Sequence, residues 1–191
     1  EESLQRAVER AEALKREAEQ AQLLALKGHL DPHFLFNTLN AIAEWCREDP
    51  AVAERATLDL SALLRSVFEA LRAPGWPLAR ELTLLEQLAS LYGTRDASRY
   101  RFRFEVDAAC TAREIPPLLL LPLFENAIKH GIEPITRPAT VTLRAQILPD
   151  GSLQLMVLDD GRGLPSGSGP DSLREGIGTS NTRRRLLQLY G

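Results

Sequence analysis

Cysteine and long apolar runs are scarce in this chain of 191 residues, and positive charge is not in excess. The two cysteines, Cys46 and Cys110, lie far apart with no Cys/His spacing around them, which argues against a disulfide framework or a structural zinc site and favours a reducing cytosol. No apolar run is long enough to span a membrane, and no segment resembles a signal peptide. The net charge of -3 argues against binding to nucleic acid through bulk positive charge.

What the chain does contain is enough apolar material for a core, since hydrophobic residues make up 44% of it. The chain starts at Glu1 rather than at a methionine. We therefore expect a fragment of a longer protein, with a sensor or membrane part ahead of it.

Residues 1–30 contain no proline and a single glycine, Gly28. Apolar or small residues recur there in alternating steps of three and four, at Leu4, Ala7, Ala11, Leu14, Ala18, Ala21 and Ala25. A period of 3.5 predicts a signalling coiled-coil helix, although a seam made mostly of alanine buries little area. The alternative is a lone solvated helix, and the sustained heptads favour pairing.

Residues 31–73 carry two amphipathic helical patterns separated by Asp49 and Pro50. Asp31 can cap the first helix, and Pro32 fits a first helical position. The predicted apolar positions are Leu35, Leu39, Ile42 and Cys46 on the first helix and Val52, Ala56, Leu60, Leu63, Val67, Phe68 and Leu71 on the second. Two such helices form a hairpin, and two hairpins form a four-helix bundle, so we expect a dimerisation domain.

Proline and glycine at residues 73–77 mark a domain boundary, and residues 77–191 form the second domain. The expected elements are a helix over 80–91, a strand over 100–106, an apolar helix over 115–131, strands over 140–148 and 152–158, a glycine-rich loop over 161–178 and a helix over 179–190. Helices and an antiparallel sheet in this order predict an α+β sandwich.

A polar stripe follows the first helix of the hairpin. His33, Asn37, Asn40 and Glu44 are spaced by steps of four, three and four, so they share one face. A neutral imidazole is a good nucleophile toward phosphorus at cellular pH. The alternative is a histidine that lies on the surface of a helical bundle or caps a helix and has no catalytic role.

A second polar set lies near the end of the helix predicted over 115–131. Asn126, Lys129 and His130 share a helical face, and Glu125 lies four residues before Lys129. An amide oxygen suits Mg²⁺, and an ammonium group suits phosphate oxygens. The alternative is a polar helix terminus stopped by Gly131, with its cations favoured by the helix dipole.

Two glycine-containing turns follow. In the first, Asp159 ends a strand and precedes Gly161 and Gly163, which allow a backbone to approach a ligand. In the second, residues 176–181 (Gly-Ile-Gly-Thr-Ser-Asn) lead into a helix N-terminus whose free amides suit a triphosphate. Each pattern alone is weak, because Asp-Gly and Gly-x-Gly are common in turns.

In order and spacing, these four motifs closely resemble those of the LytS-type sensor histidine kinases over residues 23–191. Residues 32–37 (Pro-His-Phe-Leu-Phe-Asn) match the phosphoacceptor motif of that family, residues 125–131 match its N box, and residues 159–163 and 176–181 match its two glycine boxes. The resemblance implies an ATP-binding domain of the Bergerat type.

By this resemblance His33 accepts the γ-phosphoryl group of ATP, Asn126 holds Mg²⁺, and Asp159 reads the adenine amino group. Lys129 and His130 are expected near the phosphates. The lid is expected to be shaped by Gly161, Gly163, Gly176 and Gly178 together with Thr179 and Asn181. The implied partners are a second copy of the chain and a response-regulator receiver domain. The fragment is expected in the cytoplasm, with the full-length protein anchored in the bacterial inner membrane.

The sequence departs from the wider histidine kinase pattern at three points. Phe34 stands where many histidine kinases carry an acidic residue, so the general base is sought elsewhere, with Asp31 and Glu125 as candidates. Thr179 replaces a usual apolar residue of the second glycine box. The chain also ends at Gly191, where the family fold continues with further strands.

Two other functions compete with the kinase. One is a dimeric pseudokinase scaffold that binds nucleotide without transferring phosphate. The other is a Bergerat-fold ATPase or serine kinase, which the His33 motif disfavours. Asn37 also has two readings: its amide either orients a water against the phospho-aspartate of a response regulator, or it makes a structural hydrogen bond within the bundle.

Overall fold

The computed structural model describes residues 30–163 and 186–187. The predicted coiled coil and the second glycine box, with Gly176, Gly178, Thr179 and Asn181, lie outside the described residues. Of the helix predicted over 179–190, only residues 186 and 187 are described, and both are helical.

Two helices form the predicted hairpin: α1, Pro32–Glu48, and α2, Pro50–Ala70. Each starts with an aspartate followed by a proline. The Asp31 carboxylate accepts the backbone N–H of His33 at 2.9 Å, and the Asp49 carboxylate accepts that of Val52 at 3.2 Å. The aspartate caps a free N–H of the first turn, and the proline has no N–H that would be left unpaired there. An aspartate followed by a proline therefore marks the start of each helix.

Within the single chain, only part of the predicted apolar face of α1 is covered. Leu35 and Ile42 are half-buried as expected, but Leu39 is 52% exposed and Cys46 is exposed. The fully buried positions are Phe34 and Thr38. The reason is a long-range contact. The Phe34 ring stacks on the Tyr92 ring with centroids 4.8 Å apart, and this contact directs the Phe34 side of α1 toward the core.

Helix α3, Leu78–Arg95, lies at the centre of the described chain and joins the hairpin to the sheet. Ser66 on α2 donates to Gln87 at 3.0 Å, and Ser90 donates to Asp59 at 2.8 Å. Apolar side chains of the hairpin, of α3 and of the sheet belong to one continuous core. The domain boundary predicted at 73–77 stays a prediction, and the apolar side chains on its two sides pack together in the single chain.

The main sheet has three strands in the order β2, β4, β5, namely Tyr100–Val106, Ala139–Ile147 and Leu153–Asp159. β4 and β5 form the antiparallel hairpin predicted around Gly151, which has a φ of 83°. β2 and β4, however, run parallel, so the sheet is mixed and the expectation of an antiparallel sheet was wrong in this respect. A parallel pair needs a long crossover, and the chain between these strands supplies it.

The helix predicted over 115–131 starts later than expected. Glu114–Ile115 is a short strand, β3, which pairs antiparallel with β1, Trp76–Pro77. Helix α4 begins only at Leu121 (Leu121–Asn126) and continues as a π-helical turn, Ala127–Ile132.

Buried Glu81 accounts for this late start. Its carboxylate accepts the N–H groups of Leu118 and Leu120 at 2.9 and 2.8 Å and the indole N–H of Trp76 at 3.0 Å. Leu118 has a φ of 58°, which no helix permits. Burial raises the pKa of Glu81, and these three donors oppose the rise.

Within the described residues, no helix is both long and apolar enough to cross a membrane. The two cysteines differ in access, because Cys46 is exposed and Cys110 is buried.

Candidate active site

A pocket of about 350 Å³ lies between α4 with its π-helical turn and the end of β5. Its lining residues are Leu123, Asn126, Ala127, His130, Gly131, Val157, Asp159 and Gly163. The volume falls within the range of about 300–1,000 Å³ that is usual for small-molecule sites. The fold therefore brings together the predicted N box and the first glycine box.

Glycine is required where these two motifs meet. A Cβ atom at Gly131 would overlap the Asp159 carboxylate, and one at Gly161 would overlap the backbone of Gly131. The N–H of Arg162 donates to the Gly131 carbonyl at 2.9 Å, and the N–H of Gly161 donates to Asp159 at 3.0 Å. The backbone thus closes the floor of the pocket and orients the Asp159 carboxylate.

Asp159 is the last residue of β5, as predicted. β5 is half-buried and Asp159 is exposed, with its carboxylate available to the pocket. The neighbouring Asp160 has a different role, because its carboxylate accepts the N–H of Thr140 at 2.6 Å.

Arg137 supports the glycine turn, although it belongs to none of the predicted motifs. Its guanidinium donates to the carbonyl oxygens of Asp160 and Gly161 at 2.5 and 3.1 Å. The only local signal is an arginine before a proline and a strand, which is too common to indicate such a role.

A second face of the same helical segment meets the start of α1. The Lys129 ammonium lies 3.1 Å from the Asp31 carboxylate and 3.8 Å from the Glu125 carboxylate. The backbone N–H of Asp31 donates to Glu125 at 3.3 Å. Lys129 is therefore not among the residues that line the pocket, whereas Asn126 and His130 are.

The pKa values of the Glu125 and Asp31 carboxyl groups are shifted in opposite directions. Burial raises the pKa of Glu125 to about 6, although Lys129 and the Asp31 N–H favour its charged form. For Asp31, partial burial acts to raise the pKa, but the His33 N–H and the Lys129 ammonium outweigh it and hold the pKa below its ordinary value. Of the two candidate bases, Glu125 is the one poised to exchange a proton near neutral pH.

His33 is exposed in the first turn of α1, two residues after Asp31. The amide nitrogen of Asn37 lies 3.2 Å from its Nδ1 and 3.3 Å from its Nε2, so these two side chains are neighbours as predicted. Asn40 and Glu44, further along the stripe, are also exposed. The face is polar and open to a reaction partner.

Among residues 30–163 and 186–187, no group of three or more His, Cys, Asp or Glu side chains is arranged to hold a metal ion. Among the lining residues, the side chains whose oxygens suit Mg²⁺ are the Asn126 amide and the Asp159 carboxylate. A site with few protein ligands fits Mg²⁺, because this ion usually takes its other ligands from bound phosphate groups and water.

Known proteins with similar sequences place this arrangement in a class. A family model described as histidine kinase matches residues 21–100. The sensor protein LytS of Bacillus subtilis is 34% identical over 179 residues, covering 90% of this chain and 30% of that protein. The sensor histidine kinase YpdA of Escherichia coli is 32% identical over 195 residues, covering 99% of this chain and 34% of that protein.

Among solved structures, the histidine kinase domain of the Erythrobacter litoralis EL346 blue-light activated histidine kinase aligns with a TM-score of 0.47 and 21% identity, over 91% of this chain and 84% of that chain. The sequence comparisons carry the assignment: the chain belongs to the LytS-type sensor histidine kinases. It spans about a third of the length of the relatives named above.

Proposed function

We propose that this chain is the kinase core of a two-component sensor, which binds ATP in the pocket and phosphorylates His33. The observation that carries the proposal is the two-faced N box. One helical segment lines the pocket with Asn126 and His130 and contacts the start of the His33 helix through Glu125 and Lys129. Nucleotide and acceptor are thereby brought to neighbouring faces of a single element.

The pocket suits an adenine nucleotide in its polar groups. The Asp159 carboxylate can accept a hydrogen bond from the exocyclic amine of adenine, whereas guanine presents a carbonyl there. Asn126 would hold Mg²⁺ together with the phosphates, and the metal would neutralise charge on the transferred group. The backbone around Gly131 and Gly161 leaves no room for side chains, which allows close approach of a ligand.

In the proposed reaction a ring nitrogen of His33 forms a bond to the γ-phosphorus of ATP. The bond between that phosphorus and the bridging oxygen breaks, and ADP leaves with the electron pair. The remaining ring proton passes to a base, for which we propose Glu125 because burial raises its pKa to about 6. The phosphoryl group then moves from His33 to an aspartate of a response regulator.

Homodimer formation is part of the proposal. The hairpin exposes three large apolar side chains, Phe36, Leu39 and Leu58, at 67%, 52% and 60%. Helices with such faces are typical of bundles completed by a second copy. Attachment of the whole protein to the bacterial inner membrane, which the family resemblance implies, belongs to the proposal as well.

Incubation with γ-labelled ATP tests the function. We expect an acid-labile, base-stable label on the parent chain and none on His33→Gln, with ATP affinity within a few-fold of the parent. The affinity is retained because His33 lies on the hairpin and not among the lining residues. Label on His33→Gln at the parent's rate would refute the acceptor, and nucleotide binding without any label would indicate a pseudokinase scaffold.

A further inference from the structure

The N box divides its polar side chains between two partners. Asn126 and His130 line the pocket, while Glu125 and Lys129, each one residue earlier in the chain, face the first turn of α1. Neighbouring residues on a helix point about 100° apart, so one turn presents both sets simultaneously. The acceptor turn thus contacts the helical segment that lines the pocket of its own chain, on a different face of that segment.

Three contacts hold the acceptor turn there. The Asp31 carboxylate pairs with Lys129, the Asp31 N–H donates to Glu125, and the Phe34 ring stacks on Tyr92. These contacts involve residues on both sides of His33 in the sequence. The two contacts with the N box join residues that lie 94 or more positions apart.

The ion pair is shielded more than an ordinary surface pair. The side chains of Lys129 and Asp31 are 27% and 22% exposed, and that of Glu125 is 11% exposed. Charges that are partly removed from water interact more strongly than fully exposed ones. If Asp31 lost its charge, Lys129 would keep only the longer contact with Glu125, at 3.8 Å.

We infer that Asp31 and Lys129 form a docking pair that holds the acceptor turn against the nucleotide-binding part of the same chain, which makes Lys129 a positioning residue for phosphoryl transfer within one chain. The inference rests on the proposed function. It differs from the expected role of Lys129 as a phosphate ligand, because its ammonium is engaged with the acceptor turn. Transfer depends on positioning, so loss of the pair lowers the rate of transfer and leaves nucleotide binding alone.

Asp31→Asn isolates the charge of the pair. Asparagine caps helices as well as aspartate does, so the start of α1 is retained while the ion pair is lost. We expect kcat for His33 labelling to fall roughly tenfold with an unchanged KM for ATP, as for loss of one charge-assisted contact. Asp49→Asn is the matched control, because Asp49 caps α2 in the same way from an exposed position.

Substitutions at Lys129 complete the test. Lys129→Gln should lower kcat to the same extent, the double variant should fall no further than either single variant, and Lys129→Arg should retain most of the rate. A raised KM for ATP in Lys129→Gln would identify a phosphate ligand and overturn the inference. A faster rate in Asp31→Asn would also overturn it, since the pair would then be restraining the acceptor.

Co-expression of two inactive variants tests transfer within one chain. A His33→Gln chain keeps the pocket and lacks the acceptor, while an Asn126→Asp chain keeps the acceptor and loses Mg²⁺-dependent turnover. We expect no label on either chain, and label on Asn126→Asp would overturn the inference. A parent chain that binds ATP without being labelled overturns the proposed function itself, whereas a labelled parent with unaffected Asp31 and Lys129 variants overturns only the docking pair.

Discussion

The pocket and the helical hairpin meet at one helix and are built in contrasting ways. At the pocket the packing is so close that a methyl group at Gly161 would overlap the Gly131 backbone, and one at Gly131 would overlap the Asp159 carboxylate. The hairpin instead leaves Phe36 and Leu58 largely exposed and touches the N box through a few polar contacts near Asp31. We conclude that the pocket depends on exact backbone fit, whereas the hairpin depends on side chains whose partners lie partly outside a single chain.

The largest effect is expected from adding a methyl group where the glycine turn meets Gly131 beside the pocket. Gly161→Ala should destabilise this junction by about 3 kcal/mol, at the upper end for overpacking, and thereby weaken ATP binding, because its Cβ would meet the Gly131 backbone rather than a side chain that can move. Calorimetric titration with ATP measures the loss. Gly93→Ala is the control: it lies within α3 with no atom near its Cβ position and should stabilise the fold by about 1 kcal/mol. Equal ATP affinity in the two variants would remove the contrast between the regions.

A smaller change is expected when the pocket keeps its shape and loses one charge. Asp159→Asn should weaken ATP binding by about 1–3 kcal/mol and reduce the preference for ATP over GTP, because an amide can present a donor to the adenine amine. The control is Asp160→Asn, whose carboxylate serves Thr140 and does not line the pocket. Competition binding with both nucleotides measures the preference. An unaltered ratio in Asp159→Asn would exclude it as the adenine reader.

The smallest effect concerns Glu125, where the two regions touch. Its pKa of about 6 in the folded chain exceeds the ordinary 4.5, so the folded state binds this proton more tightly than the unfolded state. The contribution of this carboxyl to stability is therefore present at low pH and is lost as the pH rises from 4.5 through about 6.

Glu125→Gln should flatten that part of the stability profile and raise the free energy of unfolding at pH 7 by at most about 2 kcal/mol. Urea unfolding between pH 4 and 8 measures it. Glu86→Gln, an exposed position on α3, should leave the profile unaltered. A Glu125→Gln profile identical to the parent's would mean that burial does not destabilise this carboxylate.

Local patterns predicted the helices of the hairpin, the strand Tyr100–Val106 and the hairpin of β4 and β5 well. Aspartate followed by proline, strict alternation and a Pro-Asp-Gly turn each act within a few residues, so the sequence carries them directly. The mixed sheet and the late start of α4 could not be found in this way. Both depend on distant partners, such as Glu81, which captures the N–H of Leu120 across 39 positions.

In the candidate site, too, the features implied by sequence motifs were predicted, and the contacts between distant residues were not. The resemblance to the LytS-type kinases implied that Asn126, Asp159 and Gly131 belong to one site, and the fold brings them to one pocket. The pairing of Lys129 with Asp31 was not predicted, because nothing near either residue in the sequence specifies the other. Helical spacing placed Leu39 on the apolar face of α1, and in the single chain this residue is largely exposed, so its burial in a two-copy bundle stays a prediction.

The unequal access of the two cysteines provides a ready optical reporter of hairpin movement. Cys46, near the end of α1, is open to a maleimide dye, whereas Cys110 is enclosed by the core and its thiol has a raised pKa. Only the thiolate reacts with such reagents, so a single dye attaches to the hairpin without any engineered cysteine. Its fluorescence can then follow, in real time, whether nucleotide addition changes the surroundings of the helix that carries His33.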